Sequence, residues 1–315
     1  MSGPDLSLKL VQALNDRDQK TVSECAKNKS VKAWIDRKVE VKQIEKPILL
    51  FADHIKDITC LGFASRYSNT RTVQQLVEAG ADVTATDSSG RTSLHWACWS
   101  EIEVKQKVEY LLSCDASLIR ARNKYNDTPL HDAALSGNDT VISVLIQHGA
   151  EVNERGQFGR TALHHACVNG HVDCIHELMR HGADVEARDS EHATTPLQLA
   201  VNSYHTDCVK VLLDKYNASI NATDKFGETA LHKAAYIGSL ELVKLLTSYS
   251  KCDVTAKDLD GRTAAEFARD EEHIDIVDYL ESNASVCKVT SLVAASNITD
   301  DKKVYGKNVY NAPTH

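Results

Sequence analysis

A threonine returns along this chain almost in step, at Thr59, Thr92, Thr128, Thr161, Thr195, Thr229 and Thr263, with spacings of 33, 36, 33, 34, 34 and 34 residues. A period of that length calls for a stack of like units, each completing its core against its neighbours. The surroundings recur too: Thr92-Ser-Leu-His, Thr128-Pro-Leu-His, Thr161-Ala-Leu-His, Thr195-Pro-Leu-Gln and Thr229-Ala-Leu-His, each followed two residues later by Ala. Gly90, Gly159, Gly227 and Gly261 stand two places before their threonines, and an Asp often lies four or so before.

The pattern predicts a short apolar helix after each Thr, a turn such as Ser136-Gly137 or Asn169-Gly170, and then a second helix. Ile142, Leu145 and Ile146 give one apolar set on that second helix, and Ile175, Leu178 and Met179 give the next in the same register. Gly80, Gly149 and Gly182 fall where a left-handed cap ends the helix.

The recurring Thr-x-Leu-His-x-Ala block resembles the ankyrin repeat, whose signature is T-P-L-H-x-A. The likeness spans residues 57–283, about seven repeats. It implies an all-α repeat solenoid of paired antiparallel helices joined by β-hairpin loops. Three extra residues around Glu101 to Gln106 predict a longer turn in the second repeat. Lys215-Tyr216-Asn217 and Ser248-Tyr249-Ser250 replace the cap glycine in two others, and the charged Thr263-Ala-Ala-Glu266 unit reads as a terminal repeat. Residues 1–56 are expected to form a divergent helical cap, from Leu8, Val11, Leu14, Val22 and Val31 to Ile35, followed by an irregular connection over 36–56. Residues 284–315 read as a partly flexible tail.

Composition narrows the function. Among 315 residues, 36 Lys and Arg face 44 Asp and Glu, and residues 1–56 are net +3 while the remainder is net −11. An acidic body argues against a nucleic-acid groove and for a protein partner with a basic surface. No apolar run approaches the length of a membrane span, and MSGPDLSLKL has no secretory pattern, so a cytoplasmic or nuclear monomer is expected. Nine scattered cysteines without CxxC pairs read as reduced thiols packed as small hydrophobes.

Catalysis and metal binding are weighed and set aside. His95, His131, His164 and His232 recur once per repeat, whereas a catalytic or metal site converges once. In the resembled family such histidines bond backbone groups. The cluster His164, His165, Cys167, His171, Cys174 and His176 invites zinc, but its spacing fits no finger knuckle. There is no phosphate-binding loop, dinucleotide fingerprint or nucleophile elbow. No enzyme, cofactor or metal is therefore expected.

What remains is recognition by a surface. The resemblance implies that hairpin tips and inner helices line a concave groove. Three residues before successive threonines stand Ser89, Tyr125, Phe158, His192, Phe226 and Asp260. Arg91 and Arg160 directly precede theirs, and Trp99 and Tyr236 follow the Ala pairs. Aromatics and Arg dominate binding hot spots, so Arg91, Trp99, Tyr125, Phe158, Arg160, His192, Phe226 and Tyr236 are the candidate partner-binding residues. Asn153 and Asn221 occupy the family's loop position for asparagine hydroxylation. The expected function is a non-enzymatic scaffold or adaptor; a ubiquitin-ligase substrate receptor or a transcription-factor regulator is the alternative.

Overall fold

The computed structural model describes residues 9–10, 12–13, 19–27 and 58–282. The irregular connection expected over 36–56, the cap residues Leu8, Val11, Leu14 and Val31 to Ile35, and the tail 284–315 lie outside them. The chain divides into two compact units, residues 1–218 and 219–315.

In the first unit, α1 (Gln19–Ala26) precedes helix pairs α2 (Cys60–Tyr67) and α3 (Thr70–Glu78), α4 (Ser93–Cys98) and α5 (Val104–Cys114), and α6 (Pro129–Ser136) and α7 (Asp139–Gln147). Two more pairs follow, α8 (Ala162–Val168) with α9 (Val172–Arg180) and α10 (Pro196–Asn202) with α11 (Thr206–Asp214). First helices pack on first helices from α2 through α10, and second helices on second helices from α3 through α11. Helix α1 rests on α3, burying Val22 and Cys25. The second unit holds α12 (Ala230–Tyr236), α13 (Leu240–Ser248), α14 (Ala264–Asp270) and helical residues 274–282, with α12 against α13 and α14.

The repeated Thr explains where each first helix begins. Thr128, Thr161 and Thr229 sit in extended backbone as N-caps, and each closes a reciprocal box with the residue three places on. That partner is ordinarily Glu or Gln. Here a His does the work: the Thr161 N–H donates to His164 Nδ1 at 3.1 Å, leaving Nε2–H to donate to the Thr194 carbonyl of the next repeat at 3.2 Å. His95, His131 and His232 repeat the arrangement onto Asp127, Glu154 and Arg262 carbonyls. Gln198 and Glu266 close the same box in their repeats, at 3.0 and 2.7 Å from the Thr N–H. The terminal unit keeps its cap despite losing the His.

Two alanines or near equivalents, such as Ala133-Ala134 and Ala166-Cys167, are buried to completion and let neighbouring first helices approach closely. Ile142, Leu145, Ile175 and Leu178 are also fully buried, each contributing about 1.5–3 kcal/mol of apolar burial. Ile146 and Met179, the third members of those sets, are only half-buried. Gly80, Gly149 and Gly182 end their helices at φ of 98°, 93° and 85°. Asn217 takes the left-handed place at φ 52° after Lys215-Tyr216.

A second cross-repeat device sits at the inter-helix turns. His171 Nε2 reaches the Leu135 carbonyl at 3.2 Å, and His205 Nε2 reaches Val168 at 2.9 Å, so each turn ties down the end of the preceding first helix. Gly137 and Gly170 accommodate this. Both have positive φ, and a Cβ on either would come within 2.8 Å of the His171 or His205 ring respectively. The second repeat carries the longer turn expected from its three extra residues, with 99–103 between α4 and α5. There Lys107 takes over the tie: fully buried, its Nζ donates to the Ser65 and Ser68 carbonyls at 2.6 and 3.0 Å and to Ser100 Oγ. Burial lowers its pKa to about 8.

The loops between repeats are looser than the expected hairpins. They are turns stitched by single cross-repeat bonds, Lys124 N–H to the Ser89 carbonyl and Ser190 N–H to that of Phe158, at 2.8 and 2.7 Å. Among the described residues one isolated antiparallel bridge, Lys257 with Thr263, is the nearest thing to a ladder.

Candidate functional site

Each loop is built round an acidic or amide side chain folded back on the backbone. Asp87 Oδ1 accepts from the Ser89 and Arg91 amides, and Asn123 Oδ1 from Tyr125 and Asp127, which holds the tip residue outward. Gly156 has the equivalent place in the fourth repeat and no side chain to offer. Asp127 of the third repeat supplies the missing carboxylate, accepting the Gln157 N–H at 2.8 Å. A Cβ on Gly156 would fall well inside contact with Asp127 Oδ1 and 2.9 Å from His131 Nε2.

The tips so held present Tyr125 at 49% exposure and Phe158 at 48%, in consecutive repeats of the first unit. Phe158 adopts φ 55°, and the Arg160 guanidinium stands 5.4 Å over its ring. His192, in the next loop, is half-buried, its N–H bonded to Asp189 Oδ1 at 2.9 Å. In the second unit Phe226 is 46% exposed beneath the Lys225 ammonium, and Tyr236 at the end of α12 is 54% exposed. Tyr204, 58% exposed in the turn after α10, escaped the sequence reading because it lies outside the hairpin register.

Behind the tips a buried polar ladder runs between repeats. Arg91 reaches across to Asp132 on α6 with Nε at 3.1 Å from Oδ2. Burial opposes the Arg91 charge, but Asp132 outweighs it and raises the pKa. Asp127 is itself buried, which raises its pKa, and lies 3.8 Å from His165 on α8. The His165 imidazole is driven down to about 3, first by burial and then by His131. Arg160 lies 3.6 Å from Asp189. Lys233 bridges Asp224, at 2.6 Å, and Glu228 in the second unit. Of this set only Arg91 and Arg160 were candidate partner-binding residues from sequence, and both have acidic neighbours inside the fold; His131 and His165 had been named there as a signature histidine and a candidate zinc ligand.

Trp99 caps α4 and is half-buried, with Arg66 of α2 held 5.3 Å above its ring. Arg66 was not singled out, although the register would have found it, seven residues after Thr59 as Trp99 is after Thr92. The candidate zinc ligands have internal tasks: His164 in its capping box, Cys167 packed at zero exposure, His171 on the Leu135 carbonyl and His176 on Tyr216 Oη at 2.7 Å. Asn153 and Asn221 each bridge to the following loop. Asn153 donates to the Gly182 carbonyl and accepts from Asp184, and Asn221 does the same with Lys251 and Asp253.

A family model described as ankyrin repeats (3 copies) matches residues 22–118, 61–156, 149–224 and 216–290. The chain belongs to the ankyrin-repeat family. Palmitoyltransferase ZDHHC17 of Danio rerio is 34% identical over 220 residues, covering 69% of this chain and 35% of that protein, and its Homo sapiens counterpart is also 34% identical. NAD-dependent deacetylase sir2B of Dictyostelium discoideum is 28% identical over 237 residues, covering 70% of this chain and 29% of its own. The chain thus spans about a third of the length of the curated relatives it matches. Ankyrin arrays act in protein interaction, and among the described residues no helix is long and apolar enough to cross a membrane.

Proposed function

We propose that this ankyrin array is a non-enzymatic scaffold or adaptor, binding protein partners through the face made by its hairpin tips and first helices. The observation that carries the reading is the pair Tyr125 and Phe158: large, half-exposed aromatics on consecutive tips whose backbone is already fixed by hydrogen bonds. A preformed aromatic surface loses little ordering entropy on binding. The absence of enzymatic activity is supported by the relatives themselves, since two different named activities accompany likeness to a similar share of this chain. The net negative charge of residues 57–315 supports a basic surface on the partner as the long-range attractor. Affinity capture with mass spectrometry, comparing wild type with a folded Tyr125→Ala/Phe158→Ala variant, tests this. Loss of specific partners is the expected result; an unchanged set refutes the assignment of this face.

The 34% identity to ZDHHC17 favours a second reading, in which the array presents proteins for S-acylation carried out elsewhere. Under that reading captured partners incorporate an alkyne-palmitate label in cells and lose it with the same double variant. Asn153 and Asn221 remain candidates for hydroxylation, read out as the gain of one oxygen on the corresponding tryptic peptides.

A further inference from the structure

We propose that Arg66 reads a carboxylate: the first unit's binding face takes an extended partner segment whose Asp or Glu docks on the Arg66 guanidinium and whose apolar residues lie over Leu135 and Val168. The proposal rests on the protein-binding reading above and supplies the chemistry of the ligand.

Arg66 is held in an aromatic seat. Its Cζ lies 5.2, 5.5 and 5.3 Å from the ring centroids of Tyr67, Trp96 and Trp99. Trp96 is fixed in turn by its Nε1–H, which donates to Asp87 Oδ2 at 3.1 Å. Rings on several sides orient a guanidinium and strip part of its water, but they accept none of its five N–H donors. Among the described residues no carboxylate comes within ion-pair distance of Arg66 and no oxygen accepts from it. Burial lowers its pKa, and the electrostatic pull of Tyr67, Asp132 and Glu101 offsets that only in part.

The neighbouring Arg91 shows the contrast. It stands over the same Trp96 ring, at 5.7 Å, yet its fork is closed on Asp132. Two further donors of the seat, Tyr67 Oη–H and Trp99 Nε1–H, are shut from water and have no hydrogen-bond partner. Buried donors left unmade are rare in folded proteins, and two beside an unpaired, half-buried guanidinium mark a place where an acceptor is missing.

The acceptor is a carboxylate and not a phosphate. One uncommitted guanidinium matches one negative charge bidentately. Asp132 and Glu101 both act electrostatically on Arg66, and they would oppose a dianion.

The direction of the segment follows from register. Trp99, Leu135 and Val168 each stand seven residues after their Thr, as Arg66 does, on first helices that pack side by side. All are half-buried. Three interhelical steps of about 8–10 Å carry the column from Arg66 to Val168. An extended chain covers that span in about eight residues.

The test uses the full chain and a phage-displayed library of random peptides long enough to cover the column, with selected peptides resynthesised and their Kd measured by fluorescence anisotropy. The expected outcome is an Asp or Glu recurring at one place in the selected peptides, about 10- to 100-fold weaker binding by Arg66→Gln, and partial recovery by Arg66→Lys. Changing the peptide's acid to its amide should cost as much on wild type and almost nothing on Arg66→Gln. If Arg66→Gln does not fold by circular dichroism, the amide peptides against wild type and Arg66→Lys carry the same comparison. Peptides that lose affinity on Trp99→Ala or Leu135→Ala but ignore Arg66 overturn the carboxylate and leave the face standing. A library yielding no binder, or binders indifferent to all three residues, overturns both.

Discussion

Gly156→Ala isolates the junction between the third and fourth repeats. The new methyl group has two neighbours, Asp127 Oδ1 and His131 Nε2, and neither can retreat freely: Asp127 holds the Gln157 amide at 2.8 Å and His131 holds the Glu154 carbonyl at 3.1 Å. If both stay, the overpacking costs about 1–3 kcal/mol. If Asp127 rotates away, the hydrogen bond to a charged acceptor is lost, at about 1.5–3 kcal/mol. The expected loss of stability is therefore about 2–3 kcal/mol, measured by urea denaturation followed by circular dichroism and tryptophan fluorescence. Gly149→Ala is the control. Nothing lies within 4 Å of a Cβ there, so only the left-handed φ of 93° is penalised, at about 1 kcal/mol. In an Asp127→Ala background the Gly156→Ala cost should fall below about 1 kcal/mol, giving a coupling of about 2 kcal/mol. Equal costs in both backgrounds would refute the reasoning, because the clash would then not be with the carboxylate.

Three further outcomes are expected. His164, lowered to about 4 by burial, binds a proton readily only when unfolded, so its contribution is complete above the unfolded pKa near 6.5 and fades as pH falls toward 4, by up to about 3 kcal/mol. His164→Gln, imitating Gln198, should keep the cap, cost about 1 kcal/mol at neutral pH and flatten that acid dependence in pH-jump melts. Lys107→Met leaves the Ser65 and Ser68 carbonyls bare and should destabilise by about 2 kcal/mol at neutral pH. Because the unfolded chain holds the Lys107 proton to higher pH than the fold does, wild type should gain on that variant by up to about 3 kcal/mol as pH rises from 8 toward 10.5; a constant difference would contradict the lowered pKa. Ala193→Gly, at φ 56° in the place other loops give to Gly, should raise the urea midpoint by up to about 1 kcal/mol of stability.

What recurs in register was legible. The threonine caps, the alanine pairs, the glycine stops and the longer turn at Glu101 to Gln106 all follow from local rules that each repeat obeys alone, and repetition multiplied a weak signal into a strong one. The histidines were legible as backbone-bonding groups, though not as stand-ins for the Glu or Gln of a capping box. What was hidden depends on which residues of different repeats become neighbours. Arg91 and Asp132 are 41 residues apart, and nothing in either repeat alone marks them as a pair. Arg66 looks like an ordinary basic residue at a helix end until Trp96 and Trp99 close round it. The hairpin aromatics were visible as a column, but their exposure follows from the Asp and Asn side chains that brace each loop.

The carboxylate lent by Asp127 to the loop of the following repeat has a consequence for shuffling. The fourth repeat is complete only downstream of a unit that ends its loop in Asp, and the third has a counter-ion for Asp132 only downstream of one that ends its loop in Arg, as the second does with Arg91. Those three modules fit together as keyed parts with a fixed order. Transposing the third and fourth would offer Asp132 the Arg160 of the fourth loop in place of Arg91, but would set Arg91 where Asp127 now stands and leave Gln157 without its acceptor, even though every signature residue survived. An array that reads as seven copies of one brick is, over this stretch, a single sentence whose words cannot be exchanged.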